Sequence, residues 1–209
     1  MNYFTKSRVE TFSDGIFAII VTLLVLEIKV PHLAETDHDS IAKLASALWE
    51  LAPKILAWII SFLTVCVIWV NHHRIFEVMK DINQPFFWLN ANLLLWVSLI
   101  PFPTALMGDY PHNPLAVCSY GAVSLMMGIA FSLIRVYMWR KPELTKNLTR
   151  EELWVGVRNV ILFGPTPYLI GMICAWFYPM LAFVLYAFVT IYYIFPRSTA
   201  LEQNAEKVS

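Results

Sequence analysis

Asp14 is the residue that most needs a chemical explanation. It stands in RVETFSDGIFAIIVTLLVLEI, residues 8–28, inside a stretch that is otherwise largely apolar. An ionised carboxylate at bilayer depth costs roughly a few kcal/mol even on mild scales, so it must find partners within the protein or serve a permeating species. The segment IWVNHHRIF, residues 68–76, offers Trp69, Asn71, His72 and His73 as hydrogen-bonding groups. Arg8 lies two turns before Asp14, and Asn90 and Asn92 interrupt a further apolar run. We read Arg8, Ser13, Asp14, Trp69, one of the adjacent histidines and Asn90 as an interhelical network. His72 and His73 do not form a metal pair, because adjacent helical positions diverge by about 100°. Only Glu77 stands at helical spacing to help them. No metal or other cofactor is expected. Cys66, Cys118 and Cys174 lie singly in apolar sequence and read as small buried hydrophobes.

The elements that must hold these residues are membrane helices. The 209-residue chain is 58% hydrophobic and 14% charged, with a mean hydropathy of +0.60. Soluble domains carry about 25% charge. Residues 55–73, 82–108, 110–134 and 159–196 contain no Asp, Glu, Lys or Arg, and a bilayer helix needs about 20 such residues. A soluble bundle of this size cannot cover helices of that kind on every face. Formal net charge is zero, which removes any global basic signal for nucleic acid. The first residues, MNYFTKSRVETFSD, lack the pattern of a cleavable signal, so the first helix is expected to stay in the mature chain.

Six spans fit the sequence: about 8–28, 54–76, 86–107, 114–138, 153–173 and 176–195. Residues 29–53 form a linker outside the cytoplasm, where SIAKLASALWEL at 40–51 has the spacing of a short interfacial helix. PFPT at 101–104 should end or bend the third span, and GPTP at 164–167 should kink the fifth. A polar cytoplasmic tail, 196–209, follows. With the N-terminus inside, Lys6, Arg8, Arg74, Lys80, Arg135, Arg140, Lys141, Lys146, Arg150, Arg158, Arg197 and Lys207 lie on the cytoplasmic side. Only Lys29, Lys43 and Lys54 lie outside, and twelve against three places both termini in the cytoplasm. Arg135 and Arg158, near inner helix ends, are expected to snorkel to headgroups.

On a helix, Phe12, Ile19, Leu23 and Leu26 fall on one bulky stripe with Ile16, beside a small-residue stripe of Gly15, Ala18 and Thr22. Asp14 lies about 140° from Ile19 and faces away from the bulky stripe. That angle favours a buried peg over a pore-mouth cation site. Thr22 sits about 60° from Ile19, where its hydroxyl can line a path or bond the preceding turn.

These residues carry a resemblance. Arg8, Phe12, Ser13, Asp14, Gly15, Phe17, Ala18, Ile19, Thr22, Leu23, Leu24, Val25, Leu26, Glu27 and Ile28 resemble the opening helix of the prokaryotic homologues of the lysosomal potassium channel TMEM175. WVNHHRIF at 69–76 and NANLLLWVSLIPFPTAL at 90–106 are similar to that family's second and third helices. The resemblance implies an all-α integral membrane protein with six transmembrane helices and a TMEM175-like channel fold, acting as a channel and not an enzyme. It implies a homotetramer in the prokaryotic plasma membrane, surrounded by lipid and passing potassium ions. Its first helix would line the pore, with the constriction at Ile19 and further layers at Leu23 and Leu26. Thr22 would bear on selectivity. Arg8, Phe12, Ser13, Asp14 and Trp69, with His72 or His73, would join helices behind the pore. The chain has no TVGYG filter, which agrees with the family pattern. The competing reading is a secondary transporter or proton-coupled protein built on Asp14 and His72–His73.

Overall fold

The computed structural model describes residues 5–146 and 148–194. The expected tail, 196–209, and the last residue of the expected sixth span lie outside them. Nine α-helices occur among the described residues: α1 Lys6–Val25, α2 Ile41–Glu50, α3 Ala52–Val78, α4 Gln84–Leu99, α5 Pro101–Asp109, α6 Pro114–Arg140, α7 Arg150–Phe163, α8 Pro165–Phe177 and α9 Pro179–Ile194.

Proline sets many of the boundaries. Its fixed φ suits the first turn of a helix, where its missing N–H is not needed. Prolines stand at the first turn of α3, α4, α5, α6 and α8. Side chains complete several of these starts: Asn83 accepts from the Phe86 amide at 3.1 Å, and Asn113 accepts from the Leu115 amide at 2.9 Å. Thr149 and Glu152 form a reciprocal capping box at the start of α7. PFPT does not stop its helix. The chain breaks at Ile100 and resumes as α5 to Asp109. GPTP likewise separates α7 from α8 at Gly164.

Taken with their breaks, four apolar helices are long enough to cross a membrane: Ala52–Val78, Gln84–Asp109, Pro114–Arg140 and Arg150–Phe177. The expected count of six is therefore not met on length and apolarity alone. α1 has 20 residues but carries Lys6, Arg8, Glu10 and Asp14, and α9 has 16 residues.

α6 is the central helix, with buried residues along its whole length. It packs on α4, α5, α7 and α8. Tyr186 of α9 is wedged into it. A Cβ on Gly121 would collide with the Tyr186 hydroxyl, and one on Gly171 of α8 would collide with the Tyr186 ring. Glycine at both places is what allows this approach. Hydroxyls clasp the interior: Ser61 bonds Thr104 at 2.7 Å, and Thr64 bonds Thr190 at 2.8 Å. At the end where α3 and α6 finish, the Lys80 amide donates to Leu144 O at 2.7 Å and the Lys146 amide donates to Val78 O at 2.8 Å. Lys6 reaches the same point and donates to Met79 O at 2.9 Å. Burial first, then the nearby Lys146, holds the Lys6 amine below its ordinary value. These bonds fix where α1 enters the bundle.

Candidate functional site

α1 has two faces with opposite fates. Val9, Ser13, Phe17, Ile20 and Leu24, at spacings of 4, 4, 3 and 4, are buried against the rest of the chain, chiefly α3 and α4. The other face is bare. Phe12 is 55% exposed, Ile19 59%, Leu23 43% and Leu26 59%. Gly15, Ala18 and Thr22 are exposed beside them. A Cβ added at Gly15 would meet nothing within 4 Å. Among the described residues, little covers Phe12, Ile19, Leu23, Leu26 or the small stripe, whereas Ile16 of the bulky stripe is half-buried and packs against the core.

Two separate sets of bonds hold the buried side. In the first, Asn90 of α4 joins α1 to α3. Its amide Nδ2 donates to Ser13 Oγ at 2.9 Å, and its Oδ1 lies 2.7 Å from His72 Nε2. Ser13 passes its own proton to Val9 O at 2.8 Å. All three side chains are essentially inaccessible. Given that carbonyl partner, the His72 Nε2 is the protonated nitrogen and donates. The ring is also held between Phe17 and Phe76, with centroids at 5.3 and 4.7 Å.

The second set is peripheral. Trp69 Nε1 donates to Asp14 Oδ1 at 2.9 Å. Trp69 stacks on His73 at 5.9 Å between centroids. His73 faces Glu10 on α1 at 3.5 Å and Glu77 on its own helix at 3.6 Å. Of the adjacent histidines, His72 therefore joins Asn90 and Ser13, whereas His73 stands beside the Asp14–Trp69 bond. Arg8 and Phe12 are brought into neither set. Both are exposed, and Arg8 makes no hydrogen bond or ion pair among the described residues.

Thr22 donates its proton to Ile19 O at 2.8 Å on the bare face. That commits the hydrogen and leaves the oxygen lone pairs directed away from the helix. Among the described residues no group of three or more His, Cys, Asp or Glu side chains is placed to hold a metal.

Sequence reasoning missed one charged residue. Arg135 does not reach an aqueous surface as expected. It is buried at 8% exposure under α7, whereas Arg158 is exposed. α7 passes over it at Gly156, where an added Cβ would stand in ordinary contact with Arg135 Nη1, at 3.6 Å.

This arrangement is that of an all-helical, multi-pass membrane protein. The family described as endosomal/lysosomal potassium channel TMEM175 matches residues 8–101. A potassium channel of Chamaesiphon minutus is 38% identical over 169 residues, covering 78% of this chain and 81% of the relative. One from a Chryseobacterium species is 35% identical over 196 residues, covering 92% and 94%. The crystal structure of a lysosomal potassium-selective channel TMEM175 homolog from Chamaesiphon minutus matches with a TM-score of 0.78 at 34% identity, over 90% of this chain and 96% of that one. The chain belongs to the TMEM175 family as a single-repeat, potassium-channel-like member. Its class is ion transport, not catalysis.

Proposed function

We propose that this protein is a homotetrameric, potassium-permeable cation channel whose pore is formed by four copies of α1. The observation that carries the proposal is the bare face of α1. Bulky apolar residues recur along it at helical spacing, yet the described residues leave them largely uncovered. Small residues beside them allow helices to approach closely in a bilayer. Four such faces around one axis put Ile19 at the constriction, with Leu23 and Leu26 as further layers.

Apolar rings of this kind control conduction by dewetting. They cannot replace an ion's hydration shell with oxygen ligands. The exception on this face is Thr22, whose oxygen is oriented to accept. We assign Thr22 the part of biasing selectivity through a partly hydrated ion. Ser13, Asn90, His72, Asp14 and Trp69 hold α1 in place from behind. Arg8 and Phe12 sit at the bare side of the same helix, where a neighbouring subunit can meet them.

α1, α3, α4–α5, α6, α7–α8 and α9 make the six spans of this reading, in the plasma membrane, with both termini cytoplasmic. The weak hydrophobicity of α1 follows from its place among protein helices away from lipid. α2, with Ile41, Leu48 and Trp49 exposed, lies on the outer surface of the bilayer. Asp14 and His72 have partners within the fold, which supports the channel over a transporter that cycles through them.

The test is reconstitution in liposomes with potassium and sodium fluxes under an imposed voltage. Current reversing near the potassium equilibrium potential is the expected result. Flux strictly coupled to a proton or sodium gradient would reject the channel in favour of a transporter.

A further inference from the structure

Arg135 is a cation inside the bundle whose partner is missing. Its Nε makes no hydrogen bond, and it pairs with no carboxylate among the described residues. A second cation, Arg74, lies close enough to act on it. The Phe131 ring, 5.8 Å from the guanidinium carbon, gives partial compensation. A desolvated charge is normally paired and hydrogen-bonded.

The Phe131 ring under the guanidinium also lines a cavity. Val67, Ile68 and Asn71 of α3, Met127 and Phe131 of α6, and Val160 of α7 contribute to its wall. It is mainly apolar and partly open, with about 620 Å³ of empty space, open solvent included. Ser124, whose buried hydroxyl lies within hydrogen-bonding influence of Tyr120, also lines it. One helical turn further along, α3 carries Arg74 where it had Asn71, α6 carries Arg135 where it had Phe131, and α7 carries Gly156 where it had Val160. The basic layer thus lies next to the apolar one. Arg135 is five residues from the end of α6, or about 7.5 Å. That end is marked by the Trp139–Trp154 pair, with Arg150 over Trp139, as at a membrane interface.

We propose that this cavity binds an anionic phospholipid, with one acyl chain in the apolar part and the phosphate on Arg135, next to Arg74. The phosphate supplies the acceptor oxygens that the buried guanidinium lacks. The apolar wall is what selects a lipid over free phosphate. The leaflet, cytoplasmic, rests on the orientation proposed above; the binding itself does not.

Native mass spectrometry of the purified protein tests this, with phosphatidylglycerol and phosphatidylcholine of equal chains as probes. Wild type should retain phosphatidylglycerol about tenfold better. Arg135→Gln should abolish that preference, and Ile68→Trp, which fills the cavity wall, should weaken both lipids. Should Arg135→Gln fail to fold, Ile68→Trp decides alone, and undiminished retention of phosphatidylglycerol in it overturns the site. Equal retention of the two lipids by wild type, or an unchanged preference in Arg135→Gln, overturns it as well. Displacement of phosphatidylglycerol by millimolar inorganic phosphate would show a phosphate site with no lipid selectivity and overturn the assignment to lipid.

Discussion

Replacing Asn90 with Leu should destabilise the protein, and replacing His72 with Phe in the same chain should restore it. Among the described residues Asn90 is the only side chain that bonds both Ser13 and His72, at 2.9 and 2.7 Å. In Asn90→Leu, His72 Nε2 loses its acceptor within a site closed to water. Its Nδ1 already has no partner. A buried donor left unsatisfied costs about 1–3 kcal/mol. Ser13 is spared, because its own proton goes to Val9 O. A central figure of about 2 kcal/mol corresponds to about 4–8 °C in melting temperature for a chain of this size. His72→Phe alone should cost a similar amount by stranding Asn90 Oδ1. Phe can still pack between Phe17 and Phe76. With both partners apolar, the penalty should largely vanish, since replacing a whole pair can be nearly neutral. Thermal unfolding of the four proteins in one detergent measures the cycle. A double variant that melts below both singles would refute the reasoning, as would Asn90→Leu melting like wild type.

Trp69→Phe removes the hydrogen bond to Asp14 but keeps a ring over His73. Because this bond is half-exposed, the loss should be about 1 kcal/mol, and Trp69→Phe with Asp14→Ala should cost no more than the sum of the two singles, read again from melting curves. Gly15→Leu places bulk where the lone chain has open space. Circular dichroism should be unchanged while light scattering shows loss of the proposed tetramer; an intact tetramer would contradict close approach at Gly15.

The face of α1 was legible because helical spacing alone sorts Ile19, Leu23 and Leu26 from Ser13 and Asp14. Trp69 was legible as a donor for Asp14 because few polar groups interrupt the apolar helices. The choice between His72 and His73 was not. Adjacent residues point about 100° apart, and which one is buried depends on where α4 brings Asn90. Arg8 looked like a natural counter-charge for Asp14, yet they lie six residues apart on one helix, or about 120° around in the reverse sense, and Arg8 points outward. PFPT and GPTP announced the irregular backbone within the third and fifth spans, because proline removes an amide and crowds the preceding turn, and the helices break at Ile100 and Gly164. Arg135 was misread because snorkelling is a property of helices facing lipid, and its burial comes from α7, which passes over it 21 residues later at Gly156 and which no local pattern connects to it. The clasp of Ser61, Thr104, Thr64 and Thr190 was hidden for the same reason: isolated hydroxyls in apolar helices carry no mark of their partners.

The most direct test of a pore along α1 is thiol modification at Ile19. The protein would carry Ile19→Cys with Cys66→Ala, Cys118→Ala and Cys174→Ala, reconstituted and recorded in potassium solution. A charged thiol reagent should remove most of the current, and a reductant should restore it. Complete labelling of Cys at this position with current unchanged would show that ions do not pass the exposed face of α1.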